Sequence, residues 1–376
     1  MRILYVTDAL AICGGLERIL IEKVNLLASM YGYEMYVVTV NQGDHPLVFP
    51  LSEQVHFRDL RILFHQQFRY KGFKRLMKMR ELNRLFRQRL IEHIQQVRPD
   101  VIVSVRADQL DAILEAKGNI PLVFESHVSR YAQRFSGANT FYLWQSTWFN
   151  RKVRHADRVV ALTEGDASDW RSLNPHVSVI PNVVHLNESG GYSSCEHKRA
   201  IFVGRFSEQK DIGSLLRIWE MVNSRHPDWQ LDIYGGYGGE YEVFMAAIRQ
   251  SHSHIVVHDA TSEIFKAYRE SSMLLLTSRY EPFGLVLPEA MSCGLPVVAF
   301  DCPYGPADII TDGVDGFLIA NRDVFAFADR VCRLIESREL RQEMGQAGIV
   351  SSRRYEASRV MPLWKNLFER LVEKSG

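Results

Sequence analysis

Two glutamates eight residues apart, Glu281 and Glu289, stand in the segment Ser278-Arg279-Tyr280-Glu281-Pro282-Phe283-Gly284-Leu285-Val286-Leu287-Pro288-Glu289-Ala290-Met291, directly after an apolar run. A carboxylate accepts from paired hydroxyls and so suits a sugar or a ribose, whereas a divalent cation asks for further carboxylates or histidines nearby. A helix opening at about Gly284 brings free N–H groups and a positive dipole end beside Glu281, with Glu289 on its second turn; taken alone, Glu289 also fits an exposed helix position. Upstream, Gly204-Arg205-Phe206-Ser207-Glu208-Gln209-Lys210-Asp211 sets two cations beside a glycine, ahead of a helix from Ile212. A guanidinium fork and a compact ammonium suit a diphosphate, and two solvated surface charges are the plainer reading. Gly14-Gly15 exposes backbone at a helix start or makes a tight turn. His127 closes Phe124-Glu125-Ser126-His127 at a strand end, where it faces a cleft or is merely structural. His252, His254 and His258 lack the carboxylate spacing of a metal site.

These residues matter only if strands deliver them to one edge. Short apolar runs bounded by Gly, Pro, Asp or Asn give strands at 3–7, 35–40, 101–105, 122–125 and 158–162, then at 200–203, 230–234, 255–258, 273–277, 296–300 and 316–319. Helical spacing fills the gaps. Such βαβα alternation implies doubly wound parallel sheets, which bind ligands at the carboxyl ends of their strands. Eleven strands divide more naturally into two Rossmann-like domains than one. The reading places an N-terminal domain at 1–184, a polar linker at 185–197, a second domain at 198–350 and a C-terminal helix at 351–376 that reaches back to the first. The helical tail, from about Phe325, breaks near Ser351-Ser352 and again at Pro362.

At 376 residues with 46% hydrophobic and 24% charged residues, the chain is neither a small module nor disordered. Forty-five Lys and Arg against 44 Asp and Glu give +1, no global field for nucleic acid. Cys13, Cys195, Cys293, Cys302 and Cys332 form no Cys-x-x-Cys pair, so a disulfide framework or zinc site is not expected, and a reducing cytoplasm fits. The chain has no Asp-x-Asp sequence, so no metal requirement and no other cofactor is expected.

Taken together, Gly14-Gly15-Leu16-Glu17-Arg18, Ile180-Pro181-Asn182, Gly204-Arg205 with Lys210, Glu281-Pro282-Phe283-Gly284 through Glu289-Ala290-Met291, and Gly294-Leu295-Pro296-Val297-Val298-Ala299 closely resemble glycosyltransferase family four. These are retaining, nucleotide-sugar-dependent transferases of GT-B fold, with two Rossmann-like domains facing a cleft. The resemblance spans essentially the whole chain. It implies that Arg205 and Lys210, beside Gly204, hold the donor diphosphate and that Glu289 binds the nucleotide ribose. Glu281 and the backbone at Phe283, Gly284 and Leu285 would hold donor-sugar hydroxyls. Gly15 would let a loop close over the phosphates, and His127 would sit beside the sugar. Asp301-Cys302-Pro303-Tyr304-Gly305-Pro306-Ala307-Asp308 looks like a variant from bacterial surface-glycan transferases, with Asp308 where glutamate is usual.

The expected activity is transfer of a hexose or N-acetylhexosamine from a nucleotide diphosphate sugar, most simply UDP-linked, to lipopolysaccharide, capsule or a lipid-linked oligosaccharide. A UDP-N-acetylglucosamine 2-epimerase-like isomerase and a non-catalytic sugar-nucleotide-binding protein are the competing readings. From Arg58 to Arg98 twelve Lys or Arg face three acids, a local +9 that leaves −8 elsewhere. Phe73, Leu76, Met77, Leu85, Phe86, Leu90, Ile91, Ile94 and Val97 recur there at helical spacing. The segment reads as a solvated crossover helix or as a dock for anionic lipid at the inner face of the cytoplasmic membrane, with Phe64, Phe68, Tyr70 and Phe73 dipping into the interface.

Overall fold

The computed structural model describes residues 1–11, 14–131, 148, 151–188, 190–236, 238–239, 241–251 and 253–374; Cys13 and His252 lie outside the described residues. The chain divides into two compact units. One comprises Met1–Leu162, Asp166–Val183 and Val360–Gly376, the other Thr163–Gly165 and Val184–Arg359.

In the first unit, strands β1 (Arg2–Thr7), β2 (Glu34–Thr39), β3 (Val55–Asp59), β4 (Val101–Ser104), β5 (Leu122–Glu125), β6 (Arg158–Ala161) and β7 (Val177–Val179) form a seven-stranded sheet in the order β3-β2-β1-β4-β5-β6-β7. In the second, β8 (Arg199–Val203), β9 (Gln230–Tyr234), β10 (Ile255–His258), β11 (Met273–Leu276), β12 (Val297–Asp301) and β13 (Gly316–Ala320) are ordered β10-β9-β8-β11-β12-β13. Every pairing is parallel, with Ile3 opposite Met35 and Val101, and Ala200 opposite Leu231 and Met273. In both sheets the order reverses at the first strand of the unit, so β1 and β4, and likewise β8 and β11, diverge at a topological switch point.

Among the described residues the helices are α1 (Gly15–Tyr31), α2 (Gly72–Val97), α3 (Leu110–Ala116), α4 (Glu164–Arg171), α5 (Ile212–Arg225), α6 (Tyr241–Gln250), α7 (Ile264–Arg269), α8 (Val286–Ser292), α9 (Gly305–Ile309), α10 (Val324–Glu336), α11 (Arg338–Ser352) and α12 (Ala357–Glu373). The central strands are apolar throughout because helices cover both faces: β1, β4, β5 and β11 are buried at almost every position. Leu4, Ile102, Phe124 and Val159 meet Phe86, Leu90, Ile94 and Trp170 in one core. In the other, Phe202, Ile233, Leu275 and Phe300 meet Trp219 and Phe327.

All eleven expected strands are present with ends within one residue. β3 and β7 are additional. Only Val55 of β3 is buried, and β7 has three half-buried residues, so edge strands of this kind carry no continuous apolar signal. The tail pauses at Ser337, whose hydroxyl accepts the Leu340 N–H at 3.1 Å, and in the 3-10 turn Arg353–Tyr355. Pro362 does not break it. α12 runs through the proline because Val360, Met361, Trp364, Leu367, Phe368 and Leu371 are all buried along one stripe, and that packing outweighs one missing N–H bond.

The periodicity of α2 also needs correction. Its buried residues begin at Leu82, whereas Phe73 is 73% exposed and Met77 49% exposed rather than facing the core. A helix of 26 residues spans about 39 Å, while strands of four to six residues cover about 13–20 Å. Its first ten residues overhang the sheet. Phe64 is half-buried, edge-on to Phe86 at 6.1 Å.

Candidate functional site

β8 ends at Val203, and the chain passes Gly204 and Arg205 into a 3-10 turn, Glu208–Lys210, before Asp211 at φ 46° starts α5. This turn is tied to the segment after β11. Arg279 N–H donates to the Gln209 carbonyl at 2.8 Å, the Gln209 side chain donates to the Tyr280 carbonyl at 3.1 Å, and the Thr277 hydroxyl to the Lys210 carbonyl at 3.0 Å. The Lys210 ammonium thereby meets the Glu281 carboxylate, whose Oε1 also accepts the Ser278 hydroxyl at 2.7 Å. The Lys210 and Glu281 side chains are 15% and 6% exposed, so the pair is largely shielded from water. Glu281 is therefore not an open loop residue.

Its backbone is equally fixed. The Glu281 N–H donates to the Pro303 carbonyl at 2.7 Å, and its carbonyl accepts the Tyr304 and Gly305 N–H groups at 2.9 Å each. A Cβ at Gly305 would fall 1.8 Å from the Phe283 carbonyl oxygen, so only glycine allows this approach. Gly284 adopts φ 95°, outside helical geometry, and α8 accordingly opens at Val286 rather than at Gly284. Pro288 is its third residue, where a missing N–H costs no helical bond. Glu289 thus lies in the first turn, not the second, and is buried, taking the Tyr268 hydroxyl on Oε2 at 3.2 Å. The exposed alternative fails because α8 packs against α7, α9 and α11, leaving Leu287, Pro288, Glu289, Ala290, Met291 and Ser292 all buried. Phe283 is buried edge-on to Tyr355 at 5.2 Å, with Leu285 at the α8 N-cap.

The two cations differ. Lys210 is held, whereas Arg205 is exposed and has no hydrogen bond or ion pair among the described residues. Gly204 contributes space rather than a donor: its N–H is committed to the Tyr234 carbonyl at 2.9 Å, and a Cβ there would lie 3.2 Å from Lys210 Cε.

In the first unit, Gly15 is the exposed first residue of α1, which begins without a side-chain cap. Two turns on, Lys23 enters the core and donates to Glu125 Oε1 at the end of β5. His127 Nε2 lies 2.9 Å from the same oxygen, and its ring is 4% exposed, so it is packed against Glu125 rather than open. Burial alone would raise the Glu125 carboxyl, yet Lys23 and then His127 hold it down to about 2. Burial lowers Lys23, and Glu125 opposes that. The loop beyond β5 is anchored by Asp166: one oxygen accepts the Ser126 hydroxyl and the Trp170 indole at 3.0 Å each, the other the Arg130 N–H at 3.0 Å.

Elsewhere, His258 lies 2.7 Å from Asp232 and stacks on Tyr234 at 4.3 Å. Cys195, Cys293, Cys302 and Cys332 are buried free thiols. Lys23, Glu125, Ser278 and Tyr268 were absent from the sequence-level candidates. Two of them left a signal: Lys23 interrupts the apolar stripe Ile19, Leu20, Leu27, and Glu125 ends the otherwise apolar run Leu122-Val123-Phe124. A charge on a buried stripe needs a counter-ion elsewhere in the fold.

Two doubly wound parallel-sheet units, one with a cation–carboxylate pair at its switch point, have the architecture of the GT-B fold. The structure of a TarM variant from S. aureus, solved with fondaparinux, alpha-GlcNAc-glycerol and UDP, superposes with a TM-score of 0.76 at 15% identity, covering 98% of this chain and 99% of that one. The lipopolysaccharide outer core galactosyltransferase WaaB superposes at 0.73 with 17% identity over 98% and 100%. Residues 13–188 match the family model described as Glycosyltransferase Family 4, and residues 194–350 match Glycosyl transferases group 1. The amylovoran biosynthesis glycosyltransferase AmsD of Erwinia amylovora is 27% identical over 97% of this chain and 99% of its own length. The chain belongs to the family-four glycosyltransferases.

Proposed function

We propose that this protein transfers a hexose or N-acetylhexosamine, with retention of anomeric configuration, from a UDP-linked sugar to a growing bacterial surface glycan. The observation that carries the reading is the Lys210–Glu281–Ser278 cluster, with exposed Arg205 beside it at the carboxyl edge of the second sheet. When a nucleoside diphosphate leaves, negative charge grows on phosphate, which Arg205 and Lys210 stabilise without metal or other cofactor. Glu281, already bonded through one oxygen to Lys210 and Ser278, is suited to hold a sugar hydroxyl rather than to attack C1. The acceptor then attacks on the face the phosphate leaves, and the departing phosphate takes its proton. Glu289 with Tyr268 holds the ribose, the backbone at Phe283, Gly284 and Leu285 the sugar hydroxyls, Gly15 opens an uncapped helix end toward anionic groups, and His127 contacts the donor sugar.

The donor and acceptor classes draw support from relatives: TarM was solved with UDP, and AmsD is named for amylovoran biosynthesis. A thermal-shift panel of UDP, GDP, ADP and their sugars tests the donor, since a ligand at a hundred times its Kd adds about 2.7 kcal/mol. Selective stabilisation by GDP or ADP overturns the uridine assignment, and product NMR showing an inverted anomer overturns retention.

The acceptor is proposed to be presented at the inner face of the cytoplasmic membrane. No described helix is long and apolar enough to cross a bilayer. The overhang of α2 and the turn before it instead expose Phe68 and Phe73, 65% and 73% accessible, among Arg69, Lys71, Lys74, Arg75, Lys78 and Arg80. Exposed aromatics within a cationic surface suit anionic headgroups, each basic residue contributing about 1 kcal/mol.

A further inference from the structure

The turn that presents Lys210 is strained as well as tied. Asp211, its last residue, is buried and adopts φ 46°, a left-handed backbone that a residue other than glycine keeps only where its surroundings impose it. Two groups meet its carboxylate. The Ser214 hydroxyl donates to Oδ2 at 2.9 Å, and Arg279 Nε lies at ion-pair distance, 3.6 Å, from the same oxygen. Arg279 also reaches the start of the turn, where its Nη1 donates to Glu208 Oε1 at 2.7 Å. The two ion pairs are unequal: the Glu208 side chain is 73% exposed and that of Asp211 only 7%, so water screens the first and the second carries the hold. Lys210 lies between these two acids in sequence, and Glu281, which its ammonium meets, lies two residues beyond Arg279. One short segment after β11 thus keeps both partners of the Lys210–Glu281 pair in register.

We propose that Arg279 is a positioning residue of the phosphate cradle: by pairing with Asp211 it pins the turn Glu208–Asp211 in the geometry that delivers the Lys210 ammonium. This rests on the reading that Lys210 holds the donor diphosphate, and deepens it. Arg279 does not meet the phosphates itself, because its guanidinium is spent on the two acids of the turn. Its effect on the donor passes through Lys210, as that of a supporting residue passes through the group it orients.

The test is a double-mutant cycle in the full chain, comparing wild type, Arg279→Gln, Lys210→Ala and the double variant by calorimetric titration with UDP and with uridine, and by urea midpoints. Arg279→Gln should raise the UDP Kd about tenfold and leave the uridine Kd within about twofold, because the lost hold acts on the phosphate side. In the Lys210→Ala background the same substitution should change the UDP Kd by less than about twofold. An equal tenfold loss in both backgrounds overturns the proposal, since Arg279 then acts without Lys210; a wild-type UDP Kd in folded Arg279→Gln overturns it as well. Asp211→Asn tolerates the left-handed backbone but gives up the charge, so it should match Arg279→Gln, while Glu208→Gln should match wild type. The reverse order overturns the assignment of the hold to Asp211. The urea midpoints keep this inference apart from the reading beneath it. If Lys210→Ala binds UDP as wild type does, the diphosphate role of Lys210 falls. Arg279→Gln should still lower the midpoint less in the Lys210→Ala background than in wild type, and an equal loss in both overturns the positioning of Lys210 whatever the UDP affinities.

Discussion

Arg205 and Lys210 lie five residues apart with the same charge, and their substitutions separate because only one is bonded. Arg205→Ala should leave the melting temperature unchanged, since the side chain is exposed and has no partner among the described residues. Lys210→Ala should cost about 2–4 kcal/mol of stability, because it strands Glu281 in a shielded site with only Ser278 left. Both should lower kcat/KM by about 3 kcal/mol of transition-state stabilisation, the scale of one lost oxyanion donor. Denaturant curves and donor-hydrolysis kinetics on both variants check this; normal kinetics with an intact fold would return the cations to solvated surface charge. The glutamates should also divide. Glu289→Gln should chiefly raise donor KM through lost ribose binding, and Glu281→Gln should chiefly lower kcat. Identical profiles would remove that division of labour.

At the scale of the element, α2 is two helices in one: a longer C-terminal part packed on the core through Leu82, Phe86, Leu90, Ile94 and Val97, and a first stretch of ten residues, 72–81, with none buried. A charge-reversed variant with Lys71, Lys74, Arg75 and Lys78 replaced by glutamate should keep its fold and its donor hydrolysis. In flotation, wild type should bind phosphatidylglycerol vesicles at low salt, release as salt rises, and lose binding in this variant. Wild type that ignores such vesicles makes the overhang a solvated face. The element that holds Glu281 depends on one glycine instead. Gly305→Ala should be strongly destabilising or misplace Glu281, because the new methyl meets the Phe283 carbonyl rather than a movable side chain. A well-folded variant with normal kcat would show that the loop relaxes freely.

At the scale of the molecule, two units with separate cores need not unfold as one. Calorimetry should resolve a transition raised by UDP and another sensitive to acid. The acid-sensitive one belongs to the first unit, where His93 is buried with Arg58 3.1 Å from its ring and its pKa is lowered to about 4 by burial and then by that cation. A histidine whose folded pKa lies below its unfolded value near 6.5 gives stability that is complete above that value and lost as pH falls to about 4. The loss should amount to about 2–3 kcal/mol, and His93→Gln should flatten it. An equally steep acid decline in that variant would place the titration elsewhere.

Sequence alone determined the two doubly wound sheets, because strands buried on both faces write themselves as short apolar runs and the glycines, cations and glutamates of the second unit keep fixed local spacing around them. It singled out Arg205, Lys210, Glu281 and Glu289 as candidates and placed the helix that starts at Ile212. What it left open were properties that depend on neighbours distant along the chain. Edge strands β3 and β7 have one poorly covered face and so lack the apolar signature. Pro362 obeys its buried stripe rather than its own propensity, and α2 outruns the sheet that its periodicity addresses. Glu289 is buried because three helices surround α8, and Lys210 is paired because the turn after β8 is laced to the segment after β11. Lys23, Glu125 and Trp364 stand 102 and 239 residues apart in sequence and meet only in the folded unit. A charge's need for a counter-ion is legible in a sequence; which residue meets it is decided by tertiary packing.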